Sequence, residues 1–214
     1  MTKIFAHRGF VTSQSQENSI ASLREAHKEN YPGVEFDVWS IENSLVINHD
    51  LPEKNIKKLS NFSEYLEFKN EIEYWIDFKN LDESNVVKAI EVVAQEIVRA
   101  KIENHKIYFA PFIENLDKAI LIYKAIRHRI KDAQIMAVCE KLDPQNFASY
   151  HKELQKNHIK FLSINHEIID EKFAKIFSDI NLFAWTVNDI TRLRTLQKLG
   201  VKNFASDIIT PKML

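Results

Sequence analysis

Three carboxylates interrupt apolar segments of the sequence, and a shared cation would be their natural partner. Glu35 and Asp37 stand two residues apart in the segment 33–39, and Asp77 stands in the segment 73–79. Side chains two apart on a strand share a face, so Glu35 and Asp37 are predicted to point together. Three carboxylates gathered in one place repel one another. A hard divalent cation bound through their oxygens offsets this repulsion and also neutralises phosphate oxygens.

Two histidines accompany the carboxylates. His7 ends the first apolar segment of the chain, and His49 follows the apolar residues 45–47. Imidazole titrates near neutral pH, so it suits general acid–base catalysis. One histidine can take a proton from an attacking hydroxyl or water while the other protonates a leaving oxygen. The residue types therefore indicate metal-assisted acid–base chemistry.

Eight short β-rich segments alternate with amphipathic helical segments along the chain. The predicted strands are 3–7, 33–39, 73–79, 106–112, 133–139, 159–165, 181–187 and 201–206. Helices are predicted near 20–26, 61–68, 86–97, 115–129, 144–157, 167–177 and 189–199, with Gly200 ending the last of them. Apolar and β-branched strands that alternate with helices predict a single (β/α)₈ TIM barrel over 1–214. A doubly wound open sheet permits the same alternation, but only 3 glycines and no Gly-rich phosphate loop disfavour it.

Each candidate residue also has a plainer interpretation. A lone Glu-x-Asp in a strand is more often salt-bridged or solvent-facing than metal-binding. Lys79 could simply pair with Asp77, His7 could be a histidine satisfied within the barrel, and Arg8 could be a surface charge. In a TIM barrel, however, the active site lies at the carboxyl ends of the strands. The placement of all these residues at three successive strand ends therefore favours a functional site.

The composition of the chain limits the binding partners and the cellular compartment that we expect. With 29 Lys and Arg against 30 Asp and Glu, the charge gives no reason to expect nucleic acid or an anionic membrane as a partner. The basic runs 54–58 and 127–131 are interpreted as solvated faces. Cys139, the only cysteine, is expected to be a buried structural thiol. No apolar segment approaches the roughly 20 residues needed to span a bilayer, and no charged leader with an apolar segment precedes Lys3. We therefore expect a cytoplasmic protein without stable membrane insertion, acting on a small molecule, and leave its oligomeric state open.

Seven short motifs follow one another along the chain. They are Ala6-His7-Arg8-Gly9, Gln16-Glu17-Asn18-Ser19, Gly33-Val-Glu35-Phe-Asp37-Val, Leu45-Val-Ile-Asn-His49-Asp50, Ile76-Asp77-Phe-Lys79, Ala184-Trp185-Thr186-Val187-Asn188 and Ser206-Asp207. In order, they resemble the HRG, PENT, GxExDV, VxxHD, ExK, WTVN and TD motifs of the glycerophosphodiester phosphodiesterase family. Each motif alone could arise by chance. The ordered series, which runs the length of the chain, is specific.

The resemblance implies a TIM barrel that hydrolyses a glycerol-linked phosphodiester to glycerol 3-phosphate and an alcohol. It implies that His7 and His49 are the acid–base pair and that Glu35, Asp37 and Asp77 are ligands of one Mg²⁺ or Ca²⁺. Arg8 and Lys79 would hold the phosphate. Glu17 would orient Arg8 or the metal shell, and Trp185 would form an apolar wall under the substrate. In the implied mechanism a neighbouring glycerol hydroxyl attacks phosphorus, and water then opens the cyclic intermediate. Direct attack by water is also compatible with the sequence.

Three features depart from the family pattern. Asp77 replaces the usual Glu, which shortens this ligand by one methylene and puts the metal preference in question. Gln16 replaces the usual Pro, which affects loop rigidity more than chemistry. Only 27 residues separate His49 from Asp77, and they are predicted to form one loop and one helix. Family members that resemble the bacterial enzymes insert a small capping subdomain there. An uncapped mouth preserves phosphodiester chemistry but leaves the alcohol, and even the glycerol, open.

Two alternatives of different kinds accompany this interpretation. One is a related phosphodiesterase, such as a phospholipase D-like barrel or a phosphoinositide-type barrel that releases a cyclic phosphate. A membrane-acting lipase should expose apolar or basic loops at the barrel mouth, whereas 8–19 and 40–48 are polar and 188–190 is short. The other is a catalytically silent barrel retained for binding. Such a chain should lose a histidine or a carboxylate of the site, and here all of them are present.

Overall fold

The computed structural model describes residues 1–42, 44–52, 59–113 and 115–214, and its framework is a closed barrel of parallel strands. The strands are β1 (Lys3–His7), β2 (Gly33–Ile41), β3 (Ser44–Ile47), β4 (Ser60–Asn61), β5 (Glu73–Phe78), β6 (Ile107–Pro111), β7 (Gln134–Cys139), β8 (Phe161–Asn165), β9 (Asn181–Trp185) and β10 (Asn203–Ser206). Eight of them pair in parallel in the order β1-β2-β5-β6-β7-β8-β9-β10, and β10 pairs with β1 to close the ring. This closure confirms the predicted TIM-type (β/α)₈ barrel over the open sheet. Each predicted strand agrees with an observed strand to within two residues at either end.

Helices connect the barrel strands on the outside. They are α1 (Ile20–Lys28), α2 (Phe62–Tyr65), α3 (Val86–Ala100), α4 (Leu116–Arg129), α5 (Phe147–Lys156), α6 (Glu171–Ile176) and α7 (Ile190–Lys198). Four of them begin after a side chain that accepts a hydrogen bond from a first-turn N–H: Ser19, Asn115, Asp170 and Asp189. The helix predicted over 61–68 is only the single turn α2, and the predictions over 144–157 and 167–177 each include an initial 3₁₀ turn.

Gly200 ends α7 as predicted. Its φ is +92°, a conformation that glycine adopts without a Cβ penalty. The N–H of Gly200 donates to the carbonyl of Gln197, and the N–H of Val201 donates to the carbonyl of Leu196. These two bonds are the Schellman pattern, which satisfies carbonyls at a helix end.

Side chains that alternate along the strands form two apolar cores. The interior of the barrel holds Phe5, Trp75, Tyr108, Ala110, Met136, Val138, Phe183 and Ala205. Phe5 and Trp75 meet edge to face with ring centroids 5.9 Å apart. Gly33 makes room for this packing, because a Cβ there would lie 2.5 Å from the Phe5 ring. The alternate residues of β2, such as Phe36, pack outward against the helices. This alternation turns the polar residues of β2 toward the barrel axis, as the sequence predicted.

Beyond the barrel, β2 continues into an antiparallel extension that the sequence did not reveal. Its residues 38–41 pair with β3, which in turn pairs with β4. Residues 45–47 are buried in β3, although their apolar run was assigned to no strand. A run of three apolar residues lacks the alternation that distinguishes a strand from a loop. The extension positions His49 at the barrel mouth, just past the end of β3.

The segment between His49 and Asp77 holds no inserted subdomain in its described part, whose elements are β4, α2, the 3₁₀ turn Lys69–Glu71 and the start of β5. Residues 53–58, which include the predicted basic face 54–58, lie outside the described residues. In the portion of the chain that the structure covers, no helix has the length and apolar character needed to cross a membrane.

Candidate active site

The three predicted carboxylates converge at the carboxyl ends of two neighbouring strands. Glu35 and Asp37 lie on β2 and Asp77 lies on β5, and the strand register sets Asp37 directly beside Asp77. One oxygen atom from each carboxylate lies within 4.8 Å of the others. Glu35 is 4% exposed and Asp37 is 1% exposed. The barrel thus gathers two buried carboxylates and a third whose side chain is 14% exposed at one position.

Burial makes this carboxylate cluster costly in its ionised form. Burial, followed by the charge of Asp37, raises the pKa of Glu35 to about 8. Burial also raises the pKa of Asp77 to about 6, although the ammonium of Lys79 opposes the shift. Both changes mean that the protein alone disfavours three negative charges here. A bound cation would restore the ionised forms.

The donor set fits a hard divalent cation. All three groups offer carboxylate oxygens, which Mg²⁺ and Ca²⁺ prefer. Oδ2 of Asp77 accepts a hydrogen bond from Lys79, but its buried Oδ1 has no hydrogen-bond partner among the described residues. Leaving a buried acceptor unsatisfied costs about 1–3 kcal/mol. A cation bound between the carboxylates would satisfy this oxygen.

Two cationic side chains lie beside the carboxylates. Nζ of Lys79 is 2.7 Å from Oδ1 of Asp37 and 2.7 Å from Oδ2 of Asp77. The pairing of Lys79 with Asp77 is therefore real, but Lys79 also bridges to Asp37. Nε of Arg8 lies 3.3 Å from Oδ2 of Asp37, and Nη1 of Arg8 donates to Glu17 over 3.1 Å. Arg8 and Lys79 are thus held at the mouth, where a guanidinium and an ammonium can bind phosphate oxygens.

His7 is oriented by a carboxylate from the far end of the chain. Its Nδ1 lies 2.6 Å from Oδ1 of Asp207. Because a carboxylate accepts, Nδ1 carries the proton and Nε2 is directed toward Glu35, whose Oε2 is 3.8 Å away. Burial alone would lower the pKa of His7, but the charge of Glu35 and the bond to Asp207 outweigh it and raise the pKa. Hydrogen bonds from His7 and Asn188 outweigh burial in turn and hold the pKa of Asp207 below its usual value.

His49 lies at the rim of the same cavity as His7. Its Nδ1 is 2.8 Å from Oδ1 of Asp50, and its backbone carbonyl accepts a hydrogen bond from Nε1 of Trp39 over 3.2 Å. The His49 side chain is 39% exposed, whereas that of His7 is 15% exposed. The structure therefore brings the two predicted histidines together at one cavity, one partly buried and one close to solvent.

The cavity has a volume of about 200 Å³, and the other side of its wall comes from β6 to β9. Phe112, Glu140, Ser163, Trp185 and Thr186 form this side. Nε1 of Trp185 donates to Oγ of Ser163 over 2.7 Å, which fixes the indole. Trp185 thus lines the cavity, and its role as an apolar wall under the substrate, which the family resemblance implies, stays a prediction.

Asn18 is a site residue whose contribution the sequence did not reveal. Its Nδ2 donates to Oδ2 of Asp37 over 2.7 Å, and its Oδ1 accepts from the N–H of Asp37 over 3.1 Å. This paired contact fixes the Asp37 carboxylate. The motif 16–19 marked the loop, but the sequence alone does not show that the loop folds back onto β2.

The sequence also predicts no role for Asp207, Phe112 or Glu140. Asp207 stands in the motif 206–207, and its contact with His7 depends on barrel closure. Phe112 and Glu140 directly follow β6 and β7, so their position at carboxyl ends of barrel strands was the available signal.

Comparison with known proteins agrees with this geometry. Residues 7–210, nearly the whole chain, match the model of the glycerophosphoryl diester phosphodiesterase family. The chain is therefore a phosphoric diester hydrolase, and it belongs to that family. No curated protein matches the chain.

Solved structures share the fold. A glycerophosphodiester phosphodiesterase from Parabacteroides distasonis matches with a TM-score of 0.77 and 22% identity, over 97% of this chain and 93% of that one. A phosphodiesterase from Oleispira antarctica, solved with its product sn-glycerol-3-phosphate, matches with a TM-score of 0.79 and 18% identity, over 99% and 94%. A calcium-dependent phosphoinositol-specific phospholipase C from Pseudomonas sp. matches with a TM-score of 0.64 and 12% identity, over 95% and 87%. At these identities the similarity is one of fold.

Proposed function

We propose that the protein hydrolyses a glycerophosphodiester to glycerol 3-phosphate and an alcohol, with a divalent cation and two histidines. The observation that carries this proposal is the meeting of Glu35, Asp37 and Asp77 within 4.8 Å at a cavity that His7 and His49 also line. Family membership and the product bound to the Oleispira antarctica phosphodiesterase support the choice of substrate.

Glu35, Asp37 and Asp77 would hold the cation, Mg²⁺ or Ca²⁺. The bound cation would neutralise negative charge on the phosphodiester oxygens. The buried Oδ1 of Asp77, which lacks a partner among the described residues, supports this assignment. The shorter side chain of Asp77 keeps a carboxylate at the position where the family has Glu.

The two histidines divide the proton transfers. Asp207 is positioned to stabilise the imidazolium that forms when His7 takes a proton through Nε2, so His7 is assigned as the base toward the attacking hydroxyl. His49, at the rim beside Asp50, is assigned as the proton donor to the leaving oxygen. If a glycerol hydroxyl attacks first, the two roles reverse when water opens the cyclic phosphate.

The remaining residues position the substrate. Arg8 and Lys79 bind the phosphate oxygens, and Glu17 holds Arg8 through its 3.1 Å hydrogen bond. Trp185 supplies the wall against which one arm of the diester packs. As part of the same proposal, residues 1–214 form one domain and the enzyme acts in the cytoplasm, where a lone cysteine is compatible with reducing conditions.

The test combines a substrate screen with metal removal. Glycerophosphocholine, glycerophosphoethanolamine, glycerophosphoglycerol and a simple bis-aryl phosphodiester are assayed with Mg²⁺, with Ca²⁺ and with EDTA. Glycerol 3-phosphate release that stops in EDTA and returns with the cation is expected. Full activity after exhaustive chelation contradicts the cation, cleavage of only the bis-aryl compound contradicts the substrate, and a cyclic phosphate as the final product indicates the phospholipase-type alternative.

The histidine assignment has its own matched comparison. His7→Ala or His49→Ala should lower kcat by about two to four orders of magnitude, the usual contribution of a positioned acid–base group. His105, on a 3₁₀ turn that precedes β6 at the opposite end of the barrel, provides the control. His105→Ala should leave kcat unchanged. Equal effects of all three substitutions would contradict the assignment.

A further inference from the structure

The side chain of His49 has only a weak anchor of its own. Among the described residues, its imidazole makes one hydrogen bond, between Nδ1 and Oδ1 of Asp50 over 2.8 Å. The Asp50 side chain is 89% exposed, and a pair with so exposed a carboxylate holds a side chain weakly. The strand β3 ends at Ile47, so its pairing with β2 stops before His49. The position of the imidazole therefore depends on what anchors the backbone of residues 48–50.

In the described part of the chain, two hydrogen bonds join the turn 48–50 to β2. The N–H of Asn48 donates to the carbonyl of Asp37 over 3.2 Å. Nε1 of Trp39 donates to the carbonyl of His49, also over 3.2 Å. Within the turn, Nδ2 of Asn48 donates to the carbonyl of Asp50 over 2.7 Å. The indole of Trp39 is thus the side chain that ties the residue proposed as proton donor to the barrel.

Trp39 belongs to the strand that carries two of the proposed metal ligands. It follows Glu35 and Asp37 at alternate positions of β2, and it pairs with Val46 of β3. Side chains at this spacing share a face of the strand, so the indole lies on the same side as the two carboxylates. Trp39 is half-buried, and it is not one of the described residues that line the cavity. One strand therefore fixes both the carboxylates and the turn of His49, with the indole outside the cavity.

We infer that Trp39 is a positioning residue, whose indole N–H fixes the backbone of His49 so that the imidazole can protonate the leaving oxygen. A general acid acts only within hydrogen-bond reach of its target, and a displacement of about 1 Å can lower a rate about 100-fold. Loss of the N–H weakens proton donation and leaves the carboxylates, Arg8 and His7 in place. The loss therefore matters most for an alcohol that must be protonated to leave. This inference rests on the proposed function and adds a residue to it.

The experiment compares two esters of glycerol 3-phosphate that differ only in the alcohol. Choline would leave as a strongly basic alkoxide and so needs a proton, whereas p-nitrophenol leaves as a stable phenolate. Trp39→Phe keeps an aromatic ring and removes the N–H. With excess enzyme in a single turnover, Trp39→Phe should release choline about tenfold more slowly than the wild type, the effect of one lost hydrogen bond between neutral groups. It should release p-nitrophenol at the wild-type rate, which also shows that the variant is folded.

Two further variants complete the comparison. Tyr108→Phe likewise keeps a ring and removes one donor, the hydroxyl that donates to Oε2 of Glu73 over 3.3 Å. Both residues lie near the amino-terminal ends of their strands, away from the mouth, so Tyr108→Phe should release both alcohols at wild-type rates. His49→Ala removes the proposed donor completely and should slow the release of choline far more than that of p-nitrophenol.

The outcomes distinguish failure of this inference from failure of the proposed function. When His49→Ala slows choline release selectively, equal slowing of both alcohols by Trp39→Phe, or wild-type rates for both, overturns the role of Trp39 alone. Selective slowing of choline release by Tyr108→Phe as well overturns it too, because the effect would then not be specific to the turn 48–50. Equal slowing of both alcohols by His49→Ala overturns the assignment of His49 as the proton donor, and the inference with it.

Discussion

Replacing Lys79 with methionine tests whether the carboxylate cluster is built around positive charge. Nζ of Lys79 lies 2.7 Å from both Asp37 and Asp77, and its side chain is 14% exposed. Lys79→Met keeps the volume of the side chain but leaves two buried carboxylates without their ammonium partner. Removing one partner of a buried ion pair costs about 3–5 kcal/mol. For a chain of this size that loss lowers Tm by about 6–20 °C.

The divalent cation should reverse part of this loss. In the wild-type protein Lys79 occupies oxygens of Asp37 and Asp77, so its ammonium competes with the cation for the same ligands. In Lys79→Met that competition is absent, and the cation should bind more tightly. In excess cation both proteins are stabilised, and the gap between them shrinks by RT ln of the ratio of their two Kd values, about 1.4 kcal/mol for each tenfold tighter binding by the variant. We therefore expect the stability gap between variant and wild type to be smaller in excess Ca²⁺ or Mg²⁺ than in EDTA.

Urea denaturation in EDTA and in excess cation measures both quantities. Lys3 provides the control, because it pairs with Glu73 at the opposite end of the barrel over 2.6 Å and its side chain is 36% exposed. Lys3→Met should cost no more than about 1 kcal/mol, with or without cation. A stability gap between Lys79→Met and the wild type that is the same in EDTA and in excess cation would refute the claim that Lys79 and the cation compete for the same oxygens. A loss in EDTA no larger than that of Lys3→Met would refute the claim that Lys79 balances the cluster.

Three further predictions concern residues around the site. Asn18→Ala should lower kcat/KM by about 10–100-fold if Asp37 is a metal ligand as proposed, because loss of a hydrogen-bond partner of a ligand has an effect of this size. Cation affinity measured by calorimetry should fall in parallel, and unchanged affinity would contradict the positioning of Asp37 by Asn18. Gly9→Ala should destabilise the protein by about 1–3 kcal/mol in urea titrations, because Gly9 has φ +81° and a Cβ would lie 2.4 Å from Oγ of Ser22. A variant as stable as the wild type would show that the loop accommodates a side chain. Burial raises the pKa of the Cys139 thiol to about 12, so at pH 8 the protonated thiol should resist iodoacetamide in the native protein and react once urea unfolds the chain. Stoichiometric labelling of native protein would contradict this.

The barrel was predictable because its signal is repeated. Eight buried strands, each apolar and β-branched, give many independent chances to detect one architecture, and the same-face spacing of Glu35 and Asp37 follows directly from strand geometry. The spacing of residues did not predict the register that sets Asp37 beside Asp77. The order of the strands, however, made the two strands neighbours, so that their carboxyl ends were expected to lie close together. Periodicity within a segment thus accounts for the elements and for which side chains face the axis.

Contacts between distant segments were beyond sequence reasoning. Asn18 reaches Asp37 through the loop after β1, and nothing in residues 16–19 encodes the path of that loop. The strand β3 was missed because three consecutive apolar residues carry no period. Glu140 is a single acidic residue after an apolar strand, and only the closed barrel shows that it faces the cavity that holds Arg8.

The bond between His7 and Asp207 spans 200 positions of the chain and links the last residue of β1 to the residue after β10. A partly folded barrel with β1, β2 and β5 in place would already bring the three carboxylates together, yet its His7 would lack the carboxylate that orients the imidazole. If His7 is the catalytic base, turnover should therefore return during refolding only when β10 has docked beside β1.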